Sequence, residues 1–129
     1  MTPDVKLVVP AKPDYVRVLR AVTASLAARL EFTYDRIEDL RLAISEACAT
    51  LLALPWEATT LVLRISAADG RVTAVVCTDA DPGADAWPPV EAERTLAWRV
   101  LSGLADTAVF EVGEEGPAVR LEVEGGVVV

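Results

Sequence analysis

The chain has 129 residues, and its sequence contains no histidine, no asparagine and no glutamine. Each absence closes a route to chemistry. Without imidazole there is no Ser-His or Cys-His nucleophile pair, no histidine metal cluster and no histidine proton shuttle near neutral pH. Acid-base work is left to carboxylates, Lys or Tyr. Cysteine is scarce, with two in the chain. Cys48 falls on a helical pattern and Cys77 in an apolar strand-like run, which predicts buried free thiols in a reducing cytosol rather than a bridge. Positive charge is short as well: 12 Lys and Arg against 20 Asp and Glu leave a net −8, with a pI near 4.5. Such a surface repels phosphate, which argues against a nucleic-acid partner and against an anionic membrane surface. No apolar run approaches the ~18 residues of a spanning helix, and the polar start does not read as a signal peptide. The expectation is a cytoplasmic protein.

What is present fits a soluble globular domain, with 53% hydrophobic and 25% charged residues. One domain over residues 1–129 is expected, and it can bury roughly two-thirds of its unfolded surface without help from a disulfide or a metal. Residues 5–9 read as a short strand closed by Pro10 and Pro13. Beyond Pro13 the apolar spacing becomes helical, and Tyr15, Leu19, Val22, Leu26 and Leu30 form one stripe over residues 14–30. Asp35 and Glu38 read as the start of a second helix running to about Leu54, where Pro55 ends it.

Two faces of that second helix differ in character. Ile37, Leu40, Ile44, Ala47 and Leu51 fall together on a core side, while Leu42, Ser45, Glu46, Ala49, Thr50 and Ala53 gather opposite, mostly small residues around one carboxylate. Small residues permit close approach. Residues 60–66 and 71–77 alternate as strands about an Asp69-Gly70 hairpin signal. Residues 79–89, dense in Asp, Pro, Gly and Ala, read as an irregular acidic loop. A third helix fits from 90 or 91 to 105, with Leu96, Val100, Leu101 and Leu104 inward. Trp98 is expected in the core and Trp56 and Trp87 as exposed anchors. Two closing strands, 108–112 and 118–123, complete an α+β, two-layer sandwich: a mixed or antiparallel sheet covered on one face by three helices.

The run Ile37-Glu38-Asp39-Leu40-Arg41-Leu42-Ala43-Ile44-Ser45-Glu46-Ala47-Cys48, with Arg20-Ala21-Val22-Thr23-Ala24-Ser25-Leu26 before it, resembles the bacterial anti-sigma factors of the serine-kinase type. These are histidine-kinase-like ATPases with the Bergerat fold, and the likeness extends over nearly the whole chain. It implies a regulator that sequesters an RNA polymerase sigma factor, is opposed by an anti-anti-sigma protein, and forms a homodimer. It also implies ATP and Mg²⁺ as cofactors, with Glu46 as the catalytic residue of an E-x-x-x-N motif. Here the metal-holding Asn position is Thr50. The nucleotide box D-x-G-x-G becomes Asp79-Ala80-Asp81-Pro82-Gly83, retaining Asp79 and Gly83 and losing the middle glycine. The G-x-G before the third helix reads Thr95-Leu96-Ala97, few residues remain for an ATP lid, and a late Gly-Thr pair is Gly116-Pro117. These departures together imply that ordinary phosphotransfer is impaired while the partner surface persists. Arg20, with Arg17 beside it, matches the position that contacts sigma. Competing readings remain open: an active serine/threonine kinase using Glu46, an orphan domain with a small ligand in the old cleft, or, residue by residue, a solvated Glu46, a turn-forming Asp79 and Gly83, and an exposed Arg20.

Overall fold

Asp69 and Gly70 adopt positive φ of 54° and 74°, the left-handed pair that a tight two-residue hairpin needs. They join β2 (Thr60–Ala68) to β3 (Arg71–Thr78) in the computed structural model, which describes residues 4–85 and 87–126. The strands run closer to the turn than alternation alone suggests, since Ala68 already pairs with Arg71. β1 (Asp4–Pro10) adds to the outer edge of β2, while β5 (Pro117–Glu124) pairs with β3 and carries β4 (Thr107–Val112) beyond it. The order is β1-β2-β3-β5-β4, with every neighbouring pair antiparallel.

Strand alternation sorts the two faces. Leu61, Leu63, Ile65, Val72, Val76, Val119, Leu121 and Val123 are fully buried and pack with Leu19, Leu40, Ile44 and Leu51 of the helices. On the other face Arg64 lies across from Lys6 and Val75, and it pairs with Glu114 at 2.8 Å. A small patch of Val62, Cys77 and Ala118 is buried there too, with Cys77 Sγ donating to the Gly116 carbonyl at 3.3 Å. Gly116 is required by close approach, because a Cβ at this position would meet the Thr78 carbonyl oxygen at 2.5 Å.

A short 3-10 helix at Pro13–Tyr15 leads into α1 (Val16–Arg29), which buries Leu19, Thr23 and Ala27. That face differs from the expected stripe: Val22 and Leu26 pack at its flank, and Tyr15 and Leu30 at the ends are exposed. The buried hydroxyl of Thr23 is satisfied by its own helix, donating to the Leu19 carbonyl at 2.7 Å. Helix α2 (Tyr34–Leu52) buries Leu40, Ala43, Ile44, Ala47, Cys48 and Leu51, close to the expected core side. Its cap is Thr33, not Asp35, with the Thr33 hydroxyl accepting from the Arg36 N–H at 3.3 Å. Arg36 then binds Asp39, Asp106 and the Glu124 carbonyl, tying the start of α2 to the end of β5. Both thiols are free and buried, and burial pushes the Cys48 thiol up to about 12.

The third helical stretch departs most from expectation. A 3-10 helix at Ala92–Arg94 precedes Thr95, whose extended backbone and hydroxyl, accepting from the Trp98 N–H at 3.1 Å, start a shorter α3 (Leu96–Leu104). Leu96 is 75% exposed and Val100 44%, so neither points inward as the pattern suggested. Trp98, Leu101 and Ala105 are the buried positions. The indole sets the rotation of the helix because it carries the largest apolar surface, and it stacks on Phe110 with centroids 4.1 Å apart. Among the described residues no helix is long and apolar enough to cross a membrane.

Candidate functional site

Helix α2 lies between α1 and α3, and a hollow opens on each side of it. The first, of about 630 Å³, is bordered by Pro13, Asp14, Val16, Arg17 and Arg20 on the α1 side and by Ser45, Ala49, Leu52 and Ala53 of α2. The small α2 residues noted in the sequence thus form one wall of this groove. Arg20 reaches across it, donating from Nη1 to Ser45 Oγ at 3.4 Å, and Ser45 in turn donates to the Arg41 carbonyl at 3.2 Å. Arg20 Nε is buried without a hydrogen-bond partner among the described residues. A buried donor left unpaired costs about 1–3 kcal/mol. Arg17 is exposed on the same border.

The second hollow, about 390 Å³, lies where the C-terminal turn of α2 meets the loop before α3. Thr50, Ala53, Leu54 and Pro55 form one side, Trp87, Pro89, Glu91, Ala92, Thr95 and Ala97 the other, and Phe110 of β4 lines it too. Of Glu46, Thr50, Asp79 and Gly83, Thr50 lines it, with its hydroxyl donating to the Glu46 carbonyl at 2.8 Å, and Thr95 and Ala97 from the G-x-G position line it too. Glu46 is half-buried on α2, and its carboxylate has no hydrogen-bond or ion-pair partner among the described residues. Asp79 is engaged elsewhere: it accepts from the Thr59 and Thr60 N–H groups at 2.8 and 3.1 Å and from the Thr59 hydroxyl, fastening the entry to β2. Partial burial pushes its carboxyl up, but these hydrogen bonds outweigh that and hold it below the usual carboxylate range. Gly83 sits in a turn at φ 59°, with its N–H donating to Asp81 at 2.8 Å and open space where a Cβ would lie. No group of three or more His, Cys, Asp or Glu among the described residues could hold a metal ion.

Sequence reasoning missed what fixes the loop before α3. Trp56 and Trp87, expected as exposed anchors, are half-buried instead. Trp56 Nε1 donates to Asp85 at 2.9 Å and Trp87 Nε1 to the Glu111 carbonyl at 2.8 Å, so both indoles fasten the loop to the body of the protein. Their position beside prolines marked them as special, but the partners lie 29 and 24 residues away and no local pattern reveals them.

The order of elements, the α2 motif and the placement of both hollows define the class. A family model described as a histidine kinase-like ATPase domain matches residues 9–123, and the chain belongs to that family. Within it, the chain is similar to the serine-protein kinase RsbW: 48% identical over 44 residues to the Bacillus subtilis protein, and 46% over 44 residues to that of Bacillus velezensis. Each match covers 34% of this chain and 28% of the relative's length. The same fold occurs in the structure of the RsbU and RsbW domains of Rv1364c from Mycobacterium tuberculosis, with a TM-score of 0.71 and 20% identity over 95% of this chain and 32% of that one.

Proposed function

We propose that the protein is a regulator that binds and sequesters an RNA polymerase sigma factor through the Arg17–Arg20 face of α1, opposed by an anti-anti-sigma protein and acting as a homodimer. One observation carries this reading: Arg17 and Arg20 border an open groove together, two cations in a protein whose net charge is −8. An acidic segment of a partner would suit this groove, because the planar fork of Arg holds a carboxylate by two bonds. The match to RsbW proteins supports the regulatory setting.

Binding of ATP and Mg²⁺ is proposed to be impaired. Thr50, Thr95 and Ala97 line the second hollow, yet among the described residues Glu91 is the one charged residue there. Triphosphate recognition relies on cations and free N–H donors, and the Thr95 hydroxyl already serves the Trp98 N–H. The Thr50 hydroxyl is committed to the Glu46 carbonyl, and Asp79 is bound to the start of β2. These residues do not fit a magnesium nucleotide. The kinase reading keeps support from the name of the relatives and from Glu46, whose unpaired carboxylate is free to act as a base.

The test is capture of a co-expressed sigma factor by the full chain and by its Arg20→Ala variant. The proposal expects capture by the wild type and a loss of at least about tenfold in affinity for the variant. Equal capture by both would remove Arg20 from the interface.

A further inference from the structure

The face of the sheet turned away from the helices carries a charge network of its own. Lys6 of β1 lies directly opposite Arg64 of β2, and two like charges in such a cross-strand pair repel. Their partners come from the far side of the sheet. Glu115 approaches Lys6 Nζ at 3.6 Å and Arg64 Nη2 at 3.4 Å, and Glu114 reaches Arg64 Nη2 at 2.8 Å. Both acids belong to the turn joining β4 to β5, and in the order β1-β2-β3-β5-β4 that turn has to cross β3 to meet β1 and β2. Partial burial pushes the Glu115 carboxyl up, but its backbone hydrogen bond and the charges of Arg64 and Lys6 outweigh this and hold it below its ordinary value.

The residue under the crossing is Cys77, whose side chain sits between Val62 and Ala118 in the strand register and is 2% exposed. The turn lies directly on its sulfur: the thiol donates to the Gly116 carbonyl, and a Cβ on Gly113 would meet Sγ at 2.9 Å. Burial pushes the Cys77 thiol up, so both cover and protonation keep it inert while the turn is down. The backbone fastens this turn lightly. The β4–β5 ladder ends at the Val112–Pro117 pair, and beyond it the Gly113 N–H donates to the Gly116 carbonyl at 2.8 Å within the turn itself. A hollow of about 170 Å³ remains beneath, bordered by Arg64, Val75, Cys77, Glu114 and Glu115. Exposed ion pairs are individually weak, and salt screens them as the Debye length falls from about 10 Å at 0.1 M to about 3 Å at 1 M.

We propose that residues 113–116 form an electrostatic strap, closed over Cys77 by the network of Lys6, Arg64, Glu114 and Glu115 and opened by rising ionic strength. Opening leaves the β4–β5 ladder intact and makes Cys77 an accessible thiol, while Cys48 stays fully buried in the main core. The strap lies on the sheet face opposite the helices, apart from the Arg20 groove.

The experiment follows alkylation of the full chain by N-ethylmaleimide, a neutral reagent whose approach salt does not steer, with peptide mapping to tell Cys77 from Cys48. Cys77 should react about tenfold faster at about 1 M than at about 0.05 M sodium chloride, with Cys48 protected at both. Arg64→Gln and Glu115→Gln each delete two of the three ion pairs, so each should raise the low-salt rate at Cys77 and flatten its salt dependence. A Cys77 rate indifferent to salt, or to both variants, would overturn the proposal. So would Cys48 reacting in step with Cys77, because access would then come from unfolding of the whole domain.

Discussion

The groove on the α1 side of α2 and the cavity on its α3 side differ in what they leave unsatisfied. The groove holds two arginines and a buried Nε with no acceptor. Among the described residues the cavity holds no cation in its lining, and its hydroxyls and the Trp87 indole already have partners within the chain. Two cations bordering an open groove favour an anionic partner, whereas a lining with its polar groups satisfied is complete by itself. The difference teaches where to look for a charged partner and where not to look for a phosphate.

The strongest way to break this comparison is to collapse one side alone. Trp98→Ala removes the ring beneath Phe110 and should cost about 3–5 kcal/mol by urea denaturation. The folded fraction should keep its sigma affinity, and a loss of that affinity would show that the two hollows are not independent. On the other side, Arg20→Ala should weaken sigma binding by about 1.4 kcal/mol or more, a tenfold loss, and Arg17→Ala by less, because Arg17 is exposed and screened. Arg20→Met keeps the aliphatic stem and deletes the unpaired donor, so it should leave the unfolding midpoint unchanged or raised. A clear fall in that midpoint would mean that Arg20 is a structural residue.

Asp79 gives a smaller and pH-dependent effect. Its carboxyl lies below its unfolded value, so the stability it contributes is present above the ordinary carboxylate range of about 4 and is lost as pH falls through the folded value. Asp79→Asn should therefore be less stable than the wild type near pH 7, with the gap closing in acid. A gap that stays constant down to acid pH would mean that the charge of Asp79 does not hold the start of β2.

The sheet and two helices were legible in the sequence because their signals are local. Asp69-Gly70 marks the hairpin, and the spacing of Leu40, Ile44, Ala47 and Leu51 marks the buried face of α2. The third helix was less legible. Leu96 and Val100 match a helical apolar stripe, but Trp98 decides which side faces in, and the Thr95 cap begins the helix later than the stripe implies. At the site, the sequence marked Thr50 and Arg20 through their resemblance to known motifs, and it could not show Asp79 fastened to Thr59 and Thr60 or Trp87 fastened to Glu111. Those bonds join residues about 20 positions apart and depend on the finished sheet.

The most direct test of the central claim is calorimetric titration of the purified chain with ATP, with and without Mg²⁺. The account predicts no saturable heat at ATP concentrations on the order of 1 mM, near the weak end of specific binding. Saturable heat that depends on Mg²⁺ would contradict it and return Glu46 and Thr50 to a working nucleotide site.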